Sequence, residues 1–316
     1  MDAITDHFLP EGVRSHLLKT WEDYTRYNHS MDSSTAARLI ELNRDFYDRF
    51  GSSFSATRQR IQPGVRRVLG MLNGDESILD LGCGNGELAR ELAKRGQRGS
   101  YLGVDFSRPL LRDAELPPEG VGVAPWRHFS ARFVHADLAS PSLLDVIAGS
   151  GAKDATTKQS PHSPEIALSG RVSIRKERYS TTSPPGNDMF DIVLCFATLH
   201  HIPSHELRVN ILRIVRRLLK DDGLFIHSHW QFLNSEKLKA RIQPWEAAEI
   251  PSSAVDAGDY LLDWRNGGNG LRYVHHFSEQ ELDELARASG FHVTDTFYSD
   301  GAGGRLGLYQ NWRLAS

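Results

Sequence analysis

Short apolar runs alternate with longer amphipathic stretches from about residue 77 to the end of the chain. Short apolar runs bounded by glycine or polar residues are typical of buried strands, whereas apolar residues spaced three and four apart indicate helices. Because strands and helices alternate, we expect an α/β, doubly wound fold with a mostly parallel, seven-stranded sheet. Strands are predicted near 77–81, 100–104, 132–136, 190–196, 223–229, 291–298 and 306–313. Helices are predicted near 86–95, 107–115, 140–148, 204–219 and 278–289.

The last two predicted strands follow each other without an intervening helix. The turn between them reads DGAGG at 300–304, which suits a hairpin. We therefore expect one terminal strand to run antiparallel to the others. Ser278 and Glu281 form a capping box at the start of the last predicted helix.

The N-terminal part of the chain has a helical rather than a strand pattern. Apolar side chains at Leu39, Leu42 and Phe46 recur at helical spacing. We predict that residues 1–52 form a helical N-terminal extension and that residues 53–316 form the main domain.

Two segments interrupt the alternation of strands and helices. Residues 149–187 are rich in Ser, Thr, Pro, Gly and Lys and are predicted to be a disordered insertion. Residues 230–270 contain several aromatic side chains and glycines. Because open parallel sheets bind ligands at the carboxyl ends of their strands, we expect this second segment to cover that edge as a lid.

Composition narrows the class of protein only modestly. The chain has 316 residues and a formal net charge of −3, so any nucleic-acid contact would need a local basic face. Its two cysteines are too few for a disulfide framework, and no Cys/His spacing predicts a metal site. The N-terminus lacks an apolar signal core, and no apolar run of about 18 residues occurs. We expect a soluble, cytoplasmic protein that does not contact a membrane.

The most informative motif is the glycine-rich turn GCGNG at 82–86, between a predicted strand and a predicted helix. This arrangement lets a ligand approach bare backbone beside a helix N-terminus. The next strand ends in Asp105, about twenty residues further on, where an acid can accept hydrogen bonds from a ribose diol. The spacing lacks the third glycine of nicotinamide-binding turns, and Asp80 suits a ligand that carries a positive charge.

The pattern D-x-G-C-G-x-G at 80–86 resembles the class I S-adenosylmethionine (SAM) methyltransferases, from about residue 77 to the C-terminus. The resemblance implies that Asp137, after the third strand, reads the adenine amino group; a helix N-cap or a surface acid is the alternative. Phe106 could lie along the adenosine or belong to the core. The predicted SAM contacts are Asp80, Gly82, Cys83, Gly84, Asn85, Gly86, Asp105, Phe106, Asp137, Leu138 and Phe196.

The fourth predicted strand leads into two adjacent histidines, His200 and His201. We expect one imidazole to be structural, with a hydrogen bond to the backbone, and the other to face the substrate. A metal pair is not predicted, because adjacent side chains rarely converge and the sequence suggests no third ligand.

Further motifs are FSATR at 54–58, HH at 200–201, GDYLLDWR at 258–265, RYVHHF at 272–277 and QNW at 310–312. From about residue 44 onward, without the insertion, these motifs resemble the tRNA wobble-uridine carboxymethyl methyltransferases. Members of that family esterify a carboxymethyl group on the wobble uridine of tRNA, and the eukaryotic ones work with a small zinc-binding activator protein. The resemblance implies tRNA and such an activator as partners, and a substrate side formed by Arg58, His201, Trp264, Arg272 and Tyr273.

The predicted reaction is transfer of the SAM methyl group to a carboxylate. A carboxylate is ionised at neutral pH and needs no general base, and Arg58 or Arg272 would orient it. A hydroxyl or amine acceptor would need a base, for which His201 is the candidate, and would indicate a small-molecule O- or N-methyltransferase. A SAM-binding protein without catalysis is the third hypothesis. The aromatic side chains Trp264 and Tyr273 could stack a base, or could only pack the lid.

Overall fold

Seven strands form the central sheet of the protein. The computed structural model describes residues 31–56, 60–115, 129–151 and 189–315. The strands are β1 (Ile78–Leu81), β2 (Ser100–Asp105), β3 (Ser130–His135), β4 (Phe190–Phe196), β5 (Leu219–Trp230), β9 (Phe291–Ser299) and β10 (Gly307–Leu314). Three further strands, β6 (Ile242–Gln243), β7 (Asp259–Trp264) and β8 (Gly270–His275), form a second sheet.

The central sheet has the strand order β3-β2-β1-β4-β5-β10-β9. Strands β1 to β5 pair in parallel, and β10 pairs antiparallel with both of its neighbours. The predicted fold class, with its mostly parallel seven-stranded sheet and one antiparallel strand near its end, is confirmed. The carboxyl ends of β1, β2, β3 and β4 therefore meet at one edge, where open sheets bind ligands.

Amphipathic helices cover the sheet. In the helix that follows β1, Leu88, Ala89 and Leu92 are buried on one face, and charged side chains occupy the other. The last helix begins at the predicted cap, where the Ser278 hydroxyl accepts a hydrogen bond from the Glu281 amide at 3.1 Å. The helices are α1 (Ser33–Ala56), α2 (Pro63–Leu69), α3 (Glu87–Lys94), α4 (Arg108–Glu115), α5 (Leu143–Gly151), α6 (His205–Leu218), α7 (Glu236–Lys239) and α8 (Glu279–Ser289).

Helix α1 packs onto the main domain through its apolar stripe. Leu39, Phe46 and Phe50 are buried, and the helix contacts β8 and α4. The helix continues without a break to Ala56. The predicted boundary at residue 52 therefore falls inside a helix that belongs to the body of the protein.

The segment 230–270, predicted to be a lid, contains a small antiparallel sheet with the order β6-β7-β8. These three strands were not predicted from the sequence. They bury Leu261, Leu262 and Val274, and the second sheet extends to His275, beyond the predicted end of the segment. Short runs with a glycine-rich loop between them carry a weak periodic signal, and the packing of β8 against α1 is a long-range contact that no local pattern indicates.

The predicted insertion 149–187 lies almost entirely outside the described residues, which resume at 189. Its first three residues, 149–151, are an exception, because α5 extends to Gly151. Among the helices in the described ranges, none is both long enough and apolar enough to cross a membrane.

Candidate active site

The turn after β1 is built on glycines with positive φ angles. Gly82 has a φ of 79°, and a Cβ there would lie 2.1 Å from the hydroxyl oxygen of Thr198, so the position requires glycine. Gly84 has a φ of 55°, and a Cβ there would meet no atom within 4 Å. Because Gly84 lines a cavity, a ligand in that cavity can approach its bare backbone.

Two buried carboxylates flank this turn. At the end of β2, Asp105 accepts hydrogen bonds from the amides of Gly84 at 2.9 Å and Ser107 at 2.8 Å, which fix its orientation. Burial raises the pKa of Asp105. In β1, Asp80 accepts a hydrogen bond from the Tyr101 hydroxyl at 2.5 Å. Burial, with a smaller contribution from nearby Asp105, raises the pKa of Asp80 to about 7, although the Tyr101 hydrogen bond opposes this shift.

A cavity of about 250 Å³ lies at the carboxyl edge of the sheet. It brings together every predicted SAM contact except Gly86, the N-cap residue of α3, whose added Cβ would clash with Ala114. The residues fit SAM: a rigid acid for a ribose diol, bare backbone beside it, and a second buried acid for a cationic group. The predicted contacts that line the cavity are Asp80, Gly82, Cys83, Gly84, Asn85, Asp105, Phe106, Asp137, Leu138 and Phe196.

Comparison with known families agrees with this geometry. A sequence profile described as "Methyltransferase domain" matches residues 54–296, more than half of the chain. The chain belongs to this methyltransferase domain family. The predicted class I SAM-dependent methyltransferase domain is thereby confirmed, whereas the narrower tRNA wobble-uridine family is not.

Individual relatives of the methyltransferase are distant. A protein of Encephalitozoon cuniculi named as a methyltransferase is 27% identical over 256 residues, covering 79% of this chain and 87% of the relative. The protein-lysine N-methyltransferase EFM4 of Saccharomyces cerevisiae is 23% identical over 184 residues, covering 57% of this chain and 64% of the relative. A solved SAM-dependent methyltransferase from Methanosarcina mazei has the same fold, with a TM-score of 0.52 at 20% identity, covering 81% of this chain and 99% of that one.

The position of Asp80 predicts that SAM affinity depends on pH. SAM carries positive charge, so binding favours the ionised carboxylate, which is present above the raised pKa of about 7 and is lost as the pH falls below it. Between about pH 8 and about pH 6, the ionised fraction of such a group falls about tenfold, and we expect SAM affinity to fall by up to that factor. Calorimetric titrations across this range would measure the change.

Two variants provide the controls for this pH dependence. Asp80→Asn cannot ionise and should bind SAM weakly with little change between the two pH values. Tyr101→Phe removes the hydrogen bond that lowers the pKa of Asp80, so the midpoint should move to higher pH. An unchanged midpoint in Tyr101→Phe would show that a group other than Asp80 controls the affinity.

The predicted adenine contact, Asp137, is also held by protein groups. One carboxylate oxygen accepts a hydrogen bond from the Ala139 amide at 2.8 Å, and the other pairs with the Arg44 guanidinium at 2.9 Å. Asp137 does not cap a helix, because α5 begins only at Leu143; its carboxylate instead holds the turn that follows β3, and the residue also lines the cavity. Phe106 lines the cavity as well, and it makes an edge contact with the ring of Tyr47.

The two histidines after β4 have different environments. The ring of His200 is buried, and its Nδ1 accepts a hydrogen bond from the Trp230 amide at 3.3 Å. His201 lines the cavity. Its Nδ1 lies 3.1 Å from the Tyr273 carbonyl oxygen, and its Nε2 lies 3.0 Å from the Tyr47 hydroxyl. The structure thus places one imidazole in the interior and the other beside the SAM site.

Three of the predicted substrate contacts lie away from the cavity. Arg272 is buried among Phe46, Trp230 and Trp264, with its guanidinium carbon 4.8 Å from the Trp230 ring centre. Trp264 packs against Phe46 and donates its indole N–H to the Asn266 carbonyl. These side chains stabilise the contact between α1 and the second sheet. Of the two roles predicted for Trp264, base stacking and lid packing, its surroundings in the structure match lid packing.

Tyr273 is fully buried, with its hydroxyl bonded to Arg208 and Asp259. Its side chain therefore cannot stack on a base in this structure. The remaining predicted contact, Arg58, lies outside the described residues.

The structure also adds cavity residues that the sequence analysis missed. Arg60, between α1 and α2, lines the cavity and is exposed. Five side chains of α1 also line it, at Ile40, Asn43, Arg44, Tyr47 and Ser55. The apolar stripe of α1 was visible in the sequence, but no local signal indicated that it would pack beside the glycine turn.

Proposed function

We propose that this methyltransferase esterifies a carboxylate, specifically the carboxymethyl group on a tRNA wobble uridine. The observation that carries the proposal is the environment of His201. Both of its ring nitrogens are engaged, one with the Tyr273 carbonyl and the other with the Tyr47 hydroxyl. An imidazole held in this way is poorly placed to remove a proton from an acceptor, which favours an acceptor that is already ionised.

A carboxylate acceptor needs a cationic partner. Arg44 lines the cavity but already pairs with Asp137 and Glu41. Arg60 also lines the cavity and is exposed, so its guanidinium can meet an incoming carboxylate with two parallel hydrogen bonds. In the proposed function, Arg60 takes the role that was predicted from the sequence for Arg58 or Arg272.

The chemistry divides simply between cofactor and protein. Bound SAM would supply an activated methyl group on a sulfonium, and transfer of that group to a carboxylate oxygen would release S-adenosylhomocysteine. Asp105 and the backbone at Gly84 hold the cofactor, and Asp80 compensates its positive charge. Arg60 orients the acceptor, and no protein group needs to take a proton. Positioning therefore supplies most of the rate enhancement.

The choice of tRNA rests on the sequence motifs, and tRNA and a small activator protein stay predicted partners. The yeast relative, named as a protein-lysine N-methyltransferase, supports an amine acceptor as the competing hypothesis. An amine must lose a proton before it attacks, and its N-methyl product is stable in alkali. The two acceptor classes therefore differ in a property of the product that can be measured.

The test uses labelled SAM and bulk tRNA that has been treated with mild alkali to hydrolyse existing esters. After incubation, tRNA would be digested to nucleosides, and the label should elute with a modified uridine and be released as methanol by mild alkali. Arg60→Ala should lower kcat/KM for tRNA by at least about tenfold, or about 1.4 kcal/mol, with an unchanged Kd for SAM.

The matched control is Arg66→Ala, because Arg66 is an exposed arginine on α2 that does not line the cavity. This variant should behave like the parent protein. An alkali-stable product, or label incorporated into protein instead of tRNA, would reject the proposal and favour the amine or hydroxyl acceptor. Equal losses in both arginine variants would indicate a general effect of surface charge on tRNA affinity.

A further inference from the structure

Strand β8 is an edge strand of the second sheet, and one side chain of α1 bonds both backbone polar groups of its residue Tyr273. The Asn43 Oδ1 accepts a hydrogen bond from the Tyr273 amide at 2.8 Å. The Asn43 Nδ2 donates to the Tyr273 and His201 carbonyl oxygens, both at 3.2 Å. Asn43 is only 4% exposed. A single buried amide thus joins the N-terminal helix, the second sheet and the loop after β4.

The same contacts determine which nitrogen of His201 carries the proton. The Tyr273 carbonyl oxygen can only accept, so the His201 Nδ1, 3.1 Å away, must donate to it. The Nε2 of a neutral ring is then an acceptor, and the Tyr47 hydroxyl at 3.0 Å donates to it. The Tyr47 ring also makes edge contacts with the rings of His201 and Phe106.

We infer that Tyr47 and Asn43 are positioning residues that set the ring orientation and tautomer of His201 at the acceptor end of the cavity. Tyr47 acts on the ring directly, and Asn43 acts through the Tyr273 backbone. The inference deepens the proposed function and rests on it, because it assumes that the acceptor meets the wall that contains His201. It gives α1 a role in methyl transfer as well as in folding.

If Asn43 and Tyr47 served only to dock α1, other contacts between α1 and the region of the second sheet would have the same role. Arg38, one turn before Leu42, donates to the carbonyl oxygens of Ala248 at 2.8 Å and Glu249 at 2.9 Å. It does not line the cavity. Arg38→Ala is therefore a matched control, since it removes α1 docking contacts without touching those of His201.

The kinetic test is a double-mutant cycle with Tyr47→Phe and His201→Ala in the full-length protein. We expect each single variant to lower kcat by about fivefold with an unchanged SAM Kd, because the acceptor loses part of its positioning against the wall that contains His201. The loss should stay this small because a carboxylate acceptor needs no base. If Tyr47 acts through His201, the double variant should also lose about fivefold, whereas independent effects would multiply to about 25-fold. Arg38→Ala should leave kcat unchanged in both backgrounds.

The second readout needs no methyl acceptor. In protein with ¹⁵N-labelled histidine, the His201 resonances should show a proton on Nδ1 and a hydrogen-bonded Nε2. Tyr47→Phe should shift the Nε2 resonance toward that of an unbonded nitrogen, and Asn43→Ala should change the balance of tautomers. Arg38→Ala should change neither resonance.

These two readouts separate the inference from the proposed function. Changed His201 resonances together with a failure to methylate tRNA would support the positioning roles and reject the acceptor. Unchanged resonances in Tyr47→Phe, or multiplicative kinetic losses, would overturn the positioning roles even if the tRNA ester is formed.

Discussion

Gly84→Val should lower the affinity for SAM by at least about a hundredfold, or about 2.7 kcal/mol, while the domain stays folded. Gly84 has a φ of 55°, and the space around its Cβ position is open because the residue faces the cavity. A valine would fill space where the cofactor approaches the backbone. It would also strain the turn and disturb the bond from the Gly84 amide to Asp105. Calorimetry would measure the affinity.

Gly96→Val is the matched control for this substitution. Gly96 has a φ of 80°, and a Cβ there would also meet no atom within 4 Å, but the residue follows α3 and does not line the cavity. Both variants should lose a similar stability, about 1–2 kcal/mol, because a side chain disfavours the left-handed backbone. Only Gly84→Val should lose SAM affinity. Undiminished binding by Gly84→Val would refute the assignment of this turn to the cofactor.

The central sheet and the cofactor side of the site were predictable from sequence because their signals are local. The first strand, the glycine turn and Asp105 fall within 78–105, and each element has its own pattern. Once the strands are parallel, their carboxyl ends must meet at one edge. Asp80 and Asp105 could therefore be placed together without knowledge of any long-range contact.

The acceptor side was less predictable because it depends on contacts between distant parts of the chain. Consecutive residues of a strand point to opposite faces, so Arg272 and Tyr273 in β8 could not both line one cavity. In the structure, neither does. Asn43 and Tyr47 reach His201 only because α1 docks against β8. Neither residue belongs to a motif whose spacing could indicate that position.

Behind Tyr273, a buried cluster of charged side chains connects the second sheet to α6 and α8. The Arg208 guanidinium donates to the Ile202 carbonyl at 2.9 Å and to the Tyr273 hydroxyl at 2.8 Å. It also lies 3.5 Å from Asp259 and from Glu281. Burial alone would raise the pKa of Asp259, but a hydrogen bond from His275 and the charge of Arg208 hold it below its usual value.

Arg208→Met should destabilise the protein by about 3–5 kcal/mol, because it leaves two carboxylates buried without their guanidinium partner. Methionine keeps much of the apolar length of the side chain, so loss of packing contributes less than loss of charge. The free energy of unfolding, measured in urea, should fall with little change in its dependence on urea concentration. Because Arg208 also holds Tyr273, methyl transfer should decline together with stability.

Arg213→Met, on the exposed face of the same helix, is the control and should change the free energy of unfolding by less than about 0.5 kcal/mol. If Arg208→Met is as stable as this control, the cluster does not depend on the guanidinium charge. If the cluster matters, lowering the pH should instead bring the stabilities of the two variants closer together. The low pKa of Asp259 contributes stability that is present above its usual range and is lost as the pH falls through its folded value. That loss should be smaller in Arg208→Met, whose Asp259 has already lost one of the partners that keep it ionised.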